Sequence, residues 1–161
     1  MSWLFVLCAM LVFLFGFVVA FGAPYLPTLQ PRTQDALQLL SLKPGQTMLE
    51  LGCGDGRVLR AAAQQGIRGV GYELNPLLVL FARLVTWRYR KLVTVRWANY
   101  WQVSLPACDG IYVFLLDRYM TRLDDKIKAE IKPPVRLVSF AFEIPGKKHA
   151  KHKNGLFLYM Y

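Results

Sequence analysis

The chain is 161 residues long, with 20 Lys and Arg against 10 Asp and Glu and a formal net charge of +10. That length holds one domain, and three cysteines at unrelated spacings exclude a disulfide framework and a zinc site. No internal repeat or long low-complexity segment is visible, and the cationic excess leaves nucleic acid or anionic lipid headgroups as electrostatic partners.

Residues 3–23 carry no charge and are dominated by Phe, Val and Leu. A hydrocarbon core of roughly 30 Å needs about 20 apolar residues in helix, so residues 1–23 read as a transmembrane anchor stopped by Pro24. A cleaved signal peptide fits less well, because a basic n-region is missing and the apolar run exceeds the usual length of about 7 to 15 residues. No Lys or Arg precedes the run, whereas Arg32, Lys43 and many others follow it; the expectation is a single-pass membrane protein with its domain facing the cytoplasm. Residues 24–46 supply a rigid linker, Pro24-Tyr25-Leu26-Pro27-Thr28, and a short helix over 33–42 that Lys43-Pro44-Gly45 ends.

From residue 47 the pattern alternates. Strands are expected over 47–51, 69–73, 93–98, 111–116, 136–142 and 156–161, and helices over 56–65, 76–90 and 119–131. Strands that alternate with helices imply an α/β, Rossmann-like domain over 47–161, with a mostly parallel, six-stranded sheet and right-handed crossovers. Ligands of such sheets sit at the carboxyl ends of the strands, beside the switch point.

The first strand ends in Leu49-Glu50-Leu51-Gly52-Cys53-Gly54-Asp55-Gly56. Alternating glycines let backbone lie against a ligand before the chain turns into a helix. The spacing Gly52-x-Gly54-x-Gly56 is not the G-x-G-x-x-G of pyrophosphate binders, and the carboxylate of Glu50 precedes it. Both features suit a ligand with a cationic amino-acid end, such as S-adenosyl-L-methionine. Cys53 reads as a small residue that fits the turn. The second strand ends in Glu73, followed by Leu74-Asn75-Pro76, a helix-start signal. An acid there, about 20 residues beyond the glycine turn, accepts from both ribose hydroxyls.

These segments resemble the class I S-adenosylmethionine-dependent methyltransferases, specifically the membrane-anchored protein lysine methyltransferases that modify the ATP synthase c-subunit or the adenine nucleotide translocase, with their bacterial relatives. The resemblance rests on a hydrophobic anchor followed by Pro24-Tyr25-Leu26-Pro27-Thr28, on Leu49 to Arg57, and on Gly71-Tyr72-Glu73-Leu74-Asn75-Pro76. It implies that Glu50 faces the methionine amino group, that Gly52 and Gly54 shape the pocket floor with Asp55 beside it, and that Glu73 holds the ribose. Asn99 stands where many relatives have an aspartate that accepts from the adenine amino group, and its amide oxygen can still accept. Tyr25 and Thr28 are expected either to close over the entrance or to be plain linker.

Methyl transfer by this chemistry needs no metal. A lysine acceptor must lose a proton, and Asp117 and Tyr119, after the fourth strand, are candidate helpers; Asp117 is equally placed to begin the next helix. The basic segment Lys147 to Lys153, with Arg83, Arg88, Arg90, Lys91 and Arg96, is expected to meet lipid more readily than nucleic acid, given the anchor. The Asp/Asn-Pro-Pro-Tyr type segment of amino-group DNA methyltransferases is replaced by Leu115-Leu116-Asp117-Arg118. Three functions remain: a protein-lysine methyltransferase acting at the membrane, a methyltransferase for a lipid, quinone or other amphiphile, and a non-catalytic cofactor-binding protein.

Overall fold

The computed structural model describes residues 2–21 and 30–161. It begins with α1 (Ser2–Phe21), a helix of 20 residues with no acid in its first turn and no base in its last. Only part of its side chains is described, and within the described residues no helix is long and apolar enough to cross a membrane. The structure therefore does not show the membrane span expected over residues 3–23. It shows a helix there, on which Trp3, Phe5, Val6 and Val12 are exposed.

The domain follows the expected alternation: α2 (Gln30–Leu40), β1 (Thr47–Leu51), α3 (Arg57–Gln64), β2 (Arg68–Glu73), α4 (Pro76–Val85), β3 (Val93–Trp97), β4 (Gly110–Val113), α5 (Met120–Glu130), β5 (Arg136–Phe140), β6 (Lys151–Lys153) and β7 (Leu156–Met160). The sheet order is β3-β2-β1-β4-β5-β7-β6. Strands β1 to β5 pair in parallel, and β7 runs antiparallel to both β5 and β6. The order reverses between β1 and β4, which opens a crevice at their carboxyl ends.

The sheet has seven strands, not the expected six. The additional one, Lys151-His152-Lys153, has no apolar alternation because all three side chains are exposed. It pairs with β7 through the two-residue turn Asn154-Gly155, whose φ values of 53° and 77° are those of a type I′ hairpin. The basic segment is thus part of a sheet edge rather than a free loop. Its Lys147 donates to Asp124 at 3.1 Å and lies 2.9 Å from the centre of the Tyr161 ring, and Lys153 pairs with Asp35 at 2.7 Å.

Several boundaries also differ: α2 spans Gln30–Leu40, β5 ends at Phe140, and two further shifts have a local cause. The helix expected over 76–90 ends at Val85, because buried Thr86 turns its hydroxyl onto the Ala82 carbonyl at 2.7 Å, and a 3-10 turn over Trp87–Tyr89 completes it. Strand β4 stops at Val113, and Asp117–Tyr119 forms a 3-10 turn leading into α5.

Alternate residues along each strand build two cores. Met48, Tyr112 and Val138 face the layer of α2, α3 and α4, while Leu49, Leu51, Ile111, Val113 and Leu137 face α5. Helix α3 lies close on β2 because Gly69 and Gly71 leave room for Leu59: a Cβ at Gly71 would come within 2.5 Å of its Cδ1. At the β3 edge the Arg83 guanidinium donates to the Val95 carbonyl at 3.0 and 3.3 Å, closing an acceptor that no strand uses.

Candidate functional site

Strand β1 delivers the glycine turn to the crevice. The Gly52 and Cys53 N–H groups both donate to the Tyr72 carbonyl at 2.9 Å, which ties the turn to the end of β2. Gly52, Gly54 and Gly56 all have positive φ, at 85°, 51° and 76°. The first and last are needed for different reasons. A Cβ on Gly56 would strike Ala82 Cβ at 3.0 Å, a packing constraint, whereas a Cβ on Gly52 would meet nothing within 4 Å and would project into open space. Cys53 is buried and its thiol is pushed up by burial and by the nearby carboxylates of Glu50 and Glu73, so it is no nucleophile.

Glu73 is the organising carboxylate. Its Oε2 accepts from Gly54 N–H at 2.9 Å, and its Oε1 accepts from Leu74 N–H at 2.9 Å and Asn75 N–H at 2.8 Å. It therefore joins the glycine turn to the start of α4, where Asn75 caps the helix through Leu77 N–H at 2.9 Å. Three donors fill part of a carboxylate's capacity of about four acceptor positions and leave room for a hydroxyl.

Glu50 lies behind the turn and is almost fully buried, with Oε2 lacking any hydrogen-bond partner. Its carboxyl is held well above the usual glutamate range by burial first and by Asp55 second; the Leu59 N–H pulls weakly the other way, and Glu73 adds to the rise. An orphaned buried carboxylate is costly unless a cation comes to it. The buried Glu50 oxygen, the open space at Gly52 and the remaining acceptor capacity of Glu73 together suit a ligand that brings a cationic end and a hydroxyl.

The other expected residues fall into place unevenly. Asp55 is turned onto Arg57 in a bidentate pair, the closest contact being 2.6 Å, so its carboxylate is shared with a cation from the chain itself. Asn99 sits just past β3 and accepts from Trp101 N–H at 3.0 Å, forming a local turn that fixes its amide. Asp117 is exposed and caps no helix, whereas Tyr119 is half-buried with its ring 6.0 Å from Trp101. Tyr25 and Thr28 lie outside the described residues.

Two residues emerge that sequence reasoning passed over. Tyr100 and Trp101 pack ring to ring at 4.8 Å, and Arg122 lies 4.4 Å above Trp101. The Tyr100 phenol is pushed up by burial first, then by Tyr119 and Glu73. The signal in the sequence was two consecutive aromatics directly after Asn99.

Comparison with known proteins agrees with this geometry. Over 125 residues, 76% of the chain, it is 41% identical to a mouse (Mus musculus) adenine nucleotide translocase lysine N-methyltransferase and covers 54% of that protein. A Xenopus laevis lysine N-methyltransferase of the ATP synthase c-subunit is 31% identical, with 55% covered, and a protein-lysine N-methyltransferase of Saccharolobus islandicus is 28% identical, with 79% covered. The chain thus spans about half the length of the animal relatives. Among solved structures, an RNA methyltransferase from Salinibacter ruber in complex with S-adenosyl-L-homocysteine superposes with a TM-score of 0.77 at 26% identity, over 84% of this chain and 92% of that one. The fold is that of the Rossmann-like class I methyltransferases, and a family model for the ANTKMT methyltransferase domain matches residues 50–151, more than half of the sequence: the chain belongs to that family.

Proposed function

We propose that the protein is an S-adenosyl-L-methionine-dependent protein-lysine N-methyltransferase acting on a membrane protein. The observation that carries the reading is the pair of strand-end carboxylates: Glu50 buried with an unpaired oxygen and Glu73 anchored by three N–H donors, on either side of an open glycine turn. Glu50 would hold the cofactor's amino group, Glu73 a ribose hydroxyl through its remaining acceptor position, and Asn99 the adenine amino group. The bound cofactor supplies an already activated methyl group on a sulfonium.

The chain's remaining task is to align the acceptor and exclude water, an orientation effect worth up to about 7 to 11 kcal/mol. The Tyr100, Trp101 and Tyr119 rings supply a dry wall for a lysine side chain at the β3 and β4 exits. A free lysine amine of pKa about 10.4 costs roughly 4 to 5 kcal/mol to deprotonate near pH 7. Arg118, 4.9 Å above Tyr119, and Arg122 lower that cost by disfavouring a second cation beside them. Asp117 is the exposed group to which the proton would pass.

The membrane part of the proposal draws on α1. Its described side chains Trp3, Phe5, Val6 and Val12 are apolar and exposed, a surface that can enter a lipid interface. The basic residues that follow it favour a cytoplasm-facing domain. The relatives are named for membrane-embedded acceptors, the adenine nucleotide translocase and the ATP synthase c-subunit. The test is to incubate the protein with native membranes and cofactor carrying a labelled methyl group. Label in membrane protein that hydrolyses to methyl-lysine supports the proposal; label in the lipid extract moves the activity to an amphiphile, label in RNA to nucleic acid, and no label removes the enzyme reading.

A further inference from the structure

Helix α4 carries an apolar face that is left exposed among the described residues. Leu77, Leu80, Phe81 and Leu84 follow helical spacing along it, and Trp87 extends the row onto the next turn. These side chains are 52 to 65% exposed, and Trp97 at the end of β3 adds another at 65%. A soluble domain seldom shows so many large apolar groups in one stripe.

The surroundings say what covers them. Between residues 76 and 98 the chain has five cations, Arg83, Arg88, Arg90, Lys91 and Arg96, and no acid. Arg83 is committed to the Val95 carbonyl and Arg96 to the Tyr72 hydroxyl, but Arg88, Arg90 and Lys91 are exposed around the far end of the stripe, and Arg90 lies 5.1 Å over the Trp87 ring. A face of one charge repels a second copy of itself. Apolar residues with tryptophan at the ends and a basic rim match the acyl and headgroup layers of an anionic bilayer.

We propose that α4 docks flat on an anionic membrane surface, with Leu80, Phe81, Leu84 and Trp87 entering the acyl boundary and the basic rim among the phosphates. The inference deepens the membrane reading above and rests on it for the nature of the acceptor. Its consequence is orientation. The N-terminus of α4 is held to Glu73 by the Leu74 and Asn75 N–H groups, and the Trp97 indole donates to the Leu74 carbonyl at 3.0 Å. A docked α4 therefore sets the mouth of the site at the headgroup level, where a lysine at the edge of a membrane protein is presented.

The test reconstitutes the full chain in phosphatidylcholine bilayers with and without phosphatidylglycerol, doped with a diazirine-bearing photoactivatable phospholipid, and maps cross-linked peptides. Adducts over residues 77–97, increased by phosphatidylglycerol, are expected in addition to any on α1. Leu80→Glu with Leu84→Glu should reduce the α4 adducts about tenfold while leaving cofactor affinity unchanged. Adducts confined to α1 overturn the proposal, as does an α4 peptide cross-linked to α1 or to a second copy. Because the readout is a lipid adduct and not methyl transfer, failure of the enzymatic reading leaves this result standing, and the reverse.

Discussion

Glu50 and Glu73 are both glutamates closing apolar strands, yet the fold gives one no partner for an oxygen and the other three. Their substitutions should separate cleanly. Because folded Glu50 keeps its proton above its ordinary 4.5, the cofactor-free fold binds more protons than the unfolded chain over that window. Its stability is then full at and below the ordinary glutamate range and falls as pH rises toward the raised value. Glu50→Gln should flatten that slope in melts taken as a function of pH, and cofactor binding to the native protein should release a proton, seen in calorimetry as a buffer-dependent enthalpy that the variant lacks. Glu73→Ala should weaken cofactor affinity by about 2 kcal/mol or more, because it leaves backbone donors and a ribose hydroxyl unpaired; an unchanged dissociation constant would remove Glu73 from the site. Spacing alone made both carboxylates visible in the sequence. It did not show that Asp55 turns onto Arg57, nor that Tyr100 and Trp101 pack ring to ring beside Tyr119, because the former is a choice between two nearby partners and the latter depends on how the segments after β3 and β4 meet.

At the scale of elements, glycine marks both the site and the packing, and sequence spacing does not tell which. Gly71→Ala places a methyl group against Leu59 and Cys53 and should cost about 1 to 3 kcal/mol in denaturant unfolding, with affinity unchanged in the molecules that remain folded. Gly52→Ala meets no neighbour but sits at φ 85°, so it should cost about 1 to 2 kcal/mol of stability and, in addition, abolish cofactor binding by filling the ligand's space. If Gly52→Ala binds normally, the turn is only structural. The strand and helix order was legible because hydrophobic period and glycine punctuation agree from Thr47 to Phe140. Strand β6 was not, since period reasoning looks for buried side chains and Lys151, His152 and Lys153 have none; the Asn154-Gly155 pair was the readable sign.

For the whole molecule, every proposed cofactor residue lies between Glu50 and Asn99, well apart in sequence from α1. Removing residues 1–29 should therefore leave cofactor affinity intact and slow methylation of a membrane-embedded acceptor far more than that of a soluble peptide carrying the same lysine, because tethering raises effective concentration. A loss of affinity on truncation would instead bring Tyr25 and Thr28 into the cofactor site. At high concentration the same molecule faces a crowding hazard, because an open sheet offers two ladders of unpaired backbone groups to its neighbours. Here one edge is a three-residue strand bearing exposed lysines, and the other has an acceptor closed by Arg83. Both ends of the sheet are thus guarded against fibril-like pairing, which lets copies crowd together without templating one another. Lys151→Val with Lys153→Val strips one guard, and concentrated samples should then scatter light through chain-to-chain strand addition while the native protein stays dispersed.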